Sequence, residues 1–512
     1  MKERGSGIAG KVITTVFMLV SLILGSLLIQ TKMIPPVMLT GMVIFLVIFV
    51  LLIGILTWNS HKRFRFVIGI FVAVIMSVIY ILAGVYIHKT TSALYEISGV
   101  NTEVAQVGIY VKEEDGAGSI SDTENYTYGI LSELDRENSD KTLEKIKEET
   151  GKEVTVQEYR GLTELVDGLV RGETGAIVLN QAYQAILEEM EGYSNLESMI
   201  RQIDVENVET VIETNIPSES STSKSDSIGN NENGDSGKEV AVQKASSAKG
   251  EVYTIFVSGI DNRGGIVAKS RSDVNIIVTA NTATRQLLLV STPRDYYVPL
   301  SISNGVPDKL THAGIYGISV CMNTLGMLYD MDINYYVRLN FDGFIDIIDA
   351  LGGIAIDSDY EFDSKNMEGY HFEKGENYVN GEQALAFVRE RYAFKEGDRQ
   401  RGKNQMAVIK GVVDRVLSPE LLKNYSSILS SVKECFETNI SYEEIARLLQ
   451  QQLTDGGSWN VVSYSVDGTG DTQKPYSMSQ KAYVMVPDYS TVDHAKKLME
   501  KVRIGEIISQ ES

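Results

Sequence analysis

Three long apolar runs near the N-terminus constrain this chain more than any other feature. Residues 12–29, 37–57 and 66–87 are stretches of 18, 21 and 22 residues without a charge. A helix needs ~20 residues to cross a hydrocarbon core of ~30 Å, so each run can span a bilayer. A cleaved signal peptide would carry a shorter apolar segment of ~7–15 residues, without two more following so closely. Basic residues set the orientation. Lys2, Arg4 and Lys11 precede the first run, and Lys62, Arg63 and Arg65 separate the second from the third. The turn at 30–36 has only Lys32. Residues 1–89 are therefore read as a three-span anchor of the cell membrane. Its N-terminus is cytoplasmic and the chain after His88 lies outside.

Charge divides the chain in the same place. Residues 1–89 carry eight Lys/Arg and one Glu, whereas the rest carries 39 Lys/Arg against 67 Asp/Glu. An acidic body excludes a generic nucleic-acid binder, which needs a basic face. Two cysteines, Cys321 and Cys435, exclude a disulfide framework and a Cys-based zinc site, and leave room for one bridge.

Beyond the anchor, residues 95–215 alternate strand and helix signals. Strands are predicted at 107–111, 153–157 and 175–179, and helices at 141–150 and 162–171, which makes a small α/β accessory domain. It shows no catalytic constellation. Residues 216–249 hold nine serines and no aromatic residue, the composition of a flexible linker. Residues 250–487 are expected to form a layered α/β/α domain around a central mixed sheet. Strands are predicted at 252–258, 274–280, 286–292, 335–341, 354–357, 460–466 and 481–486. Asp342 is read as the cap of a helix over 343–351, and residues 381–387 as a helix feeding an extended segment at 388–391. A longer helix follows at 402–417. Residues 488–512 read as a helical C-terminal tail.

Polar residues gather at the predicted strand ends. Asp261 closes the first strand, Arg271 and Asp273 open the second, and Arg294 and Asp295 close the third. Ligands of open α/β sheets bind at such ends. Arg389 and Arg391 are two apart, so an extended segment would turn both to one face. Asp398, Arg401 and Gln405 follow. Planar guanidinium groups match phosphate oxygens bidentately, and carboxylates with phosphate can hold Mg²⁺. Taken singly, each residue reads as a surface ion pair. Together they leave that reading and a pyrophosphate–Mg²⁺ site both standing. The stretch Gly397 to Asn404 has P-loop spacing except at its last position, where Asn replaces the metal-binding hydroxyl.

Five short motifs in order carry a resemblance. They are Ser258-Gly259-Ile260-Asp261, Ser270-Arg271-Ser272-Asp273, Thr292-Pro293-Arg294-Asp295, the run Asp308 to Ala313 that begins Asp-Lys-Leu-Thr, and Val388-Arg389-Glu390-Arg391 followed by Asp398 to Gln405. With the three spans, they closely resemble the LytR–CpsA–Psr family, and most of all its streptococcal capsule-locus members. The resemblance implies a transferase that moves a capsular polysaccharide or similar glycopolymer from an undecaprenyl-(pyro)phosphate carrier to peptidoglycan. It also implies a lipid pocket under an arginine-rich mouth and a divalent cation, Mg²⁺ or Mn²⁺.

Carried over by position, Asp261 and Asp273 would be the metal ligands. Arg271, Arg294, Lys309, Arg389 and Arg391 would clamp phosphate, with Arg401 and Gln405 beside them. Arg389, Arg391, Arg294, Asp398 and Arg271 would form the catalytic set, and Asp295 would orient Arg294. Glu390 would point away and tolerate change. The apolar helices at 311–330 and 343–351 would wall the lipid tunnel. The implied partners are the lipid-linked polysaccharide, peptidoglycan, membrane lipid and the capsule-synthesis machinery, with no nucleic acid. The alternatives are a sensor or regulator of capsule synthesis, a polyprenyl-pyrophosphate phosphatase, and a scaffold for the synthesis complex.

Overall fold

The computed structural model describes residues 2–57, 63–212, 251–260, 269–395, 397–416 and 435–509. The linker at 216–249 and Asp261 lie outside them. The apolar runs are the helices Lys2–Gln30, Pro36–Thr57 and Arg63–Ile97. Phe17, Ile53 and Tyr80 pack between them, whereas Leu22, Leu51, Phe71 and Leu82 are exposed, as befits helices solvated by lipid. Small residues allow close contact: a Cβ on Gly10 would lie 2.1 Å from the Thr57 carbonyl oxygen. All three helices are long and apolar enough to cross a membrane. The third has 35 residues, more than a bilayer core requires, and it continues past His88 as a stalk.

The stalk leads into a five-stranded sheet. Its order is Thr155–Tyr159, Thr127–Leu131, Ala176–Asn180, Thr102–Lys112 and Ile200–Val211. Helices cover both faces. Val107, Ile109 and Val111 point to one face with Ile146, and Tyr110 points to the other with Leu165 and Leu169.

The larger domain has a six-stranded mixed sheet. Its order is Phe436–Thr438, Tyr335–Leu339, Val252–Ile260, Ser272–Asn281, Gln286–Ser291 and Asn460–Ser465. The central pair and the next strand run antiparallel as expected of hairpins. Tyr335–Leu339 and Asn460–Ser465 join in parallel. Alternation along the strands divides the core. Phe256, Ile277, Leu288 and Val290 pack on the helices Ile318–Tyr329 and Tyr489–Ile504. Ile276, Leu289, Val257 and Val278 face Met406 and Ile409 of the helix Asp398–Val416. The helices Phe341–Ala350 and Gly381–Arg389 form a further cluster on that second side.

Several sequence expectations change here. The stretch read as a C-terminal tail contributes Val492, Leu498, Met499 and Val502 to the main core. Asn340, not Asp342, caps the helix Phe341–Ala350, its side chain accepting from the Gly343 N–H at 2.9 Å. Cys321 and Cys435 are both buried and form no disulfide.

Three sets of contacts lock the units together. Arg338 lies between Glu103 of the accessory sheet (3.1 Å) and Glu437 (3.2 Å), with the Arg338 and Glu103 side chains almost fully buried. The Gly99 and Val100 N–H groups donate to the carbonyls of Ile440 and Thr438, each at 2.9 Å. The helix Tyr442–Asp455 rests on the anchor. Tyr442 stacks on Tyr95 at 4.0 Å and donates to the Thr31 carbonyl at 2.7 Å, and Gln450 donates to that of Ile34 at 3.0 Å. The larger domain is thus seated on the anchor.

Removing Arg338 would leave two carboxylates facing each other in the interior. Arg338→Ala should cost about 3–5 kcal/mol, read as a lower thermal midpoint and faster proteolysis between the two folded units. Arg447→Ala, whose guanidinium and partner Glu251 are about half-exposed, should lower the midpoint less.

Candidate active site

Four of the expected residues meet at the ends of three strands. Asp273 is the second residue of Ser272–Asn281. Arg294 follows Gln286–Ser291, and its Nη1 donates to Asp273 Oδ1 at 3.1 Å. The Arg294 Nε stands 3.7 Å from Asp295 Oδ2, and Lys309 Nζ stands 3.9 Å from Asp295 Oδ1. Thr311, which the sequence reading did not single out, donates to the same Asp273 oxygen at 2.9 Å. Both bonds fall on Oδ1, so Oδ2 is the carboxylate atom to consider for a cation. The turn carrying Arg271 is pressed on Gly314. A Cβ there would stand 2.3 Å from the Ser270 carbonyl oxygen and 2.7 Å from the Ser272 nitrogen, so close approach requires glycine.

A residue of the accessory sheet's own domain enters this mouth. Arg271 Nη1 lies 2.6 Å from Glu189 Oε1, and Lys309 Nζ lies 2.8 Å from Glu189 Oε2. Burial pushes the Glu189 carboxyl up in pKa. The hydrogen bond and charge of Lys309, with the charges of His312 and Arg271, outweigh this and hold it below its ordinary value.

Behind Asp273 a cavity of about 100 Å³, or about 580 Å³ with its open mouth, runs between the sheet and the second-side helices. Val257, Ile260 and Val274 form one wall, and Phe341, Phe344, Leu385, Val388 and Ile409 the other. Asp273, Asn340 and Gln405 are its polar members. This corrects the expected tunnel walls. Of the two helices named, the one starting at Phe341 contributes, whereas Ile318–Tyr329 packs on the opposite face of the sheet.

Arg389 ends the helix Gly381–Arg389 next to Val388 of the cavity wall. Its guanidinium carbon lies 4.5 Å from the centre of the Phe341 ring, a cation–π contact with a wall residue. Because Arg389 is helical, the two-residue alternation invoked for Arg389 and Arg391 does not apply. Arg391 lies over the neighbouring Tyr392 ring at 4.6 Å. Asp398 heads the helix Asp398–Val416, and its side chain lies outside the described residues. Arg401 is half-buried in that helix. The stretch with P-loop spacing forms the start of this helix, and Asn404 is buried, donating to the Phe387 carbonyl at 3.1 Å.

Glu390 also departs from expectation. It points away from solvent and is 0% exposed. Its carboxylate accepts from the N–H groups of Lys365, Asn366, Arg391, Tyr392 and Ala393 and from the Ser364 hydroxyl. It thus knots the loop after Arg389 to the loop at Ser364. Burial alone would raise its pKa, but the bonds from Asn366, Ala393, Lys365 and Ser364 prevail and lower it.

Comparison with known proteins places the chain in a transferase family. The LytR–CpsA–Psr family model matches residues 214–500, more than half of the chain, and the protein belongs to that family. Its relatives include the polyisoprenyl-teichoic acid–peptidoglycan teichoic acid transferase TagU of Bacillus cereus. That protein is 31% identical over 262 residues, which cover 50% of this chain and 81% of the relative. The TagU of Enterococcus faecalis is 34% identical over 225 residues, covering 44% of this chain and 72% of the relative. Among solved structures, B. subtilis TagV is 28% identical, with 51% of this chain and 100% of that one covered and a TM-score of 0.42.

A carboxylate with a lowered pKa stabilises the fold above its unfolded value of ~4.3 and loses that contribution as pH falls through the folded value. Glu390→Gln should therefore lower stability by about 1.5–3 kcal/mol near neutral pH. The gap to the parent protein should narrow below pH ~4. Chemical denaturation at a series of pH values checks both, and equal stabilities at neutral pH would refute the knot.

Proposed function

We propose that this protein transfers a glycopolymer, of capsular-polysaccharide type, from an undecaprenyl-(pyro)phosphate carrier to peptidoglycan. The observation that carries the proposal is the junction of an apolar cavity with a charged mouth that presents Arg294, Lys309 and Arg271. The cavity suits a polyprenyl tail, and Arg294 and Lys309 suit the phosphates at its head. The relatives' names point to the same class of donor and acceptor. The cavity is small beside a long polyprenyl chain, so binding would part the helix Phe341–Ala350 from the sheet.

In the proposed reaction a peptidoglycan hydroxyl attacks the phosphorus that bears the polymer. A new P–O bond forms, the P–O bond to the lipid phosphate breaks, and the hydroxyl proton passes to a carboxylate at the mouth. Arg294, Lys309 and Arg271 would stabilise the charge gathering on the phosphoryl and leaving oxygens. Arg389, held over Phe341, would face the same group from the other wall. A divalent cation, Mg²⁺ or Mn²⁺, fits the carboxylate donors: Asp273, with Asp261, would hold it, and it would neutralise phosphate charge.

The excess of basic residues on the N-terminal and second-loop sides supports a cytoplasmic N-terminus, with the larger domain outside the cell. The seating of Tyr442 and Gln450 on the anchor would then hold the cavity beside the leaflet that carries the donor.

Two variants test this reading. Leu385→Trp would fill the cavity. It should abolish copurification of polyprenyl lipid from membranes while a cooperative thermal transition persists. Arg294→Ala should lower polymer attachment to the wall by roughly 10- to 150-fold, as loss of a charge-assisted bond of about 1.5–3 kcal/mol implies. Arg294→Lys should recover only part, because it keeps the charge and loses the fork. Normal attachment by Arg294→Ala cells, with no second family member present, would remove the transfer proposal.

A further inference from the structure

We propose that Glu189, supplied by the accessory domain, is an affinity-determining residue of the mouth. Its carboxylate is a built-in competitor for substrate phosphate. The proposal rests on the donor reading above, since it takes Arg271 and Lys309 to be phosphate ligands.

The geometry is that of an anion already in place. One carboxylate spans two cations, Oε1 at 2.6 Å from Arg271 and Oε2 at 2.8 Å from Lys309. Two oxygens reaching two separate cationic side chains is also how a phosphoryl group would bridge them. A phosphate arriving at Asp273 and Arg294 finds these donors engaged and must displace Glu189 to use them.

The pair is poorly suited to being a mere domain clamp. The Arg271 and Glu189 side chains are each 27% exposed, so water partly screens this pair and weakens it as a clamp, whereas Lys309 is 9% exposed. Docking is supplied elsewhere, by the buried Arg338 pairs and by Ile315 and Met478 packed into the accessory core. The backbone just after Glu189 is tied down as well. The Glu191 N–H donates to Gln480 Oε1 at 2.9 Å, and Gln480 Nε2 donates to the Glu191 carbonyl at 3.1 Å. Displacement therefore needs only rotation of the Glu189 side chain. A single negative charge yields to a pyrophosphate, which brings more charge to the same cations. A less charged anion gains less by the exchange, so the carboxylate would also favour highly charged head groups.

The test uses the full-length protein in detergent micelles, with geranyl pyrophosphate as the probe and calorimetric titration at fixed Mg²⁺ and ionic strength. Glu189→Gln and Glu189→Ala should both bind the probe about tenfold more tightly than the parent, which corresponds to about 1.4 kcal/mol. Glu189→Asp keeps a competing charge and should stay nearer the parent. Loss of a residue that only supports structure would weaken binding, so tightening by both neutral variants separates the two roles. Unchanged or weaker binding by both overturns the competitor role. Arg294→Ala serves as the reference. If it weakens binding while the Glu189 variants do not tighten it, the competitor role fails and the donor site stands. If Arg294→Ala binds the probe as the parent does, the donor site fails and this proposal falls with it.

Discussion

A pleated strand sends successive side chains to opposite faces, and the central hairpin of the larger domain puts its two faces to different uses. Phe256, Ile277, Leu288 and Val290 meet two helices in a filled core. Ile276, Val257 and Leu289 meet Met406 and Ile409, and beside this contact the helices at Phe341 and Gly381 stand off enough to leave a cavity. The solid face keeps the strands in place, so the open face can carry a void without losing the fold. Close packing makes voids costly. An apolar void that ends at a polar mouth is thus a feature to be explained by a ligand.

Charge at the mouth is arranged in alternating signs. Asp273, Arg294, Asp295, Lys309, Glu189 and Arg271 form a chain in which each neighbour is opposite in sign. Such a chain keeps long cationic side chains ordered before any ligand arrives. Its far end comes from the accessory domain, whose own sheet shows no catalytic grouping in sequence. The buried pairing of Arg338 with Glu103 and Glu437 gives this composite mouth its fixed frame. A buried ion pair is costly to break from one side, and this one crosses the boundary between the domains.

The anchor imposes a second frame. Its third helix outlasts the bilayer's needs, and the surplus passes straight into hydrogen bonds with Thr438 and Ile440. Ile347 of the helix that walls the cavity packs in the same cluster as Leu94 and Ile97 of the stalk. Cavity wall and membrane stalk are therefore in one continuous apolar contact.

Much of this organisation was legible in the chain itself. Uncharged runs of bilayer length fold as long apolar helices, and alternation and turn residues located the predicted strands to within a few positions but missed Thr127–Leu131 and Ile200–Val211 of the accessory sheet. Asp273 and Arg294 were placed because polar residues at strand ends are local signals, whereas Lys309 came only with the family resemblance. What the chain did not disclose are relations between distant residues. Glu189 lies 120 positions from Lys309, and nothing near it marks it as part of a site. The role of Glu390 depends on a loop at Ser364 that closes over it, so its burial has no signature in neighbouring residues. Arg389 was misread because two-residue spacing means one face only in extended backbone, and the helix runs two residues further than its apolar pattern suggested. The sequence alone determined the long apolar helices, most of the strands and the arginines and aspartates at the strand ends, because these follow from local composition and period. Tertiary structure decided which sheet face is hollow, which helices wall the cavity and which carboxylate meets the cations, because each of these is set by packing between segments far apart in the chain.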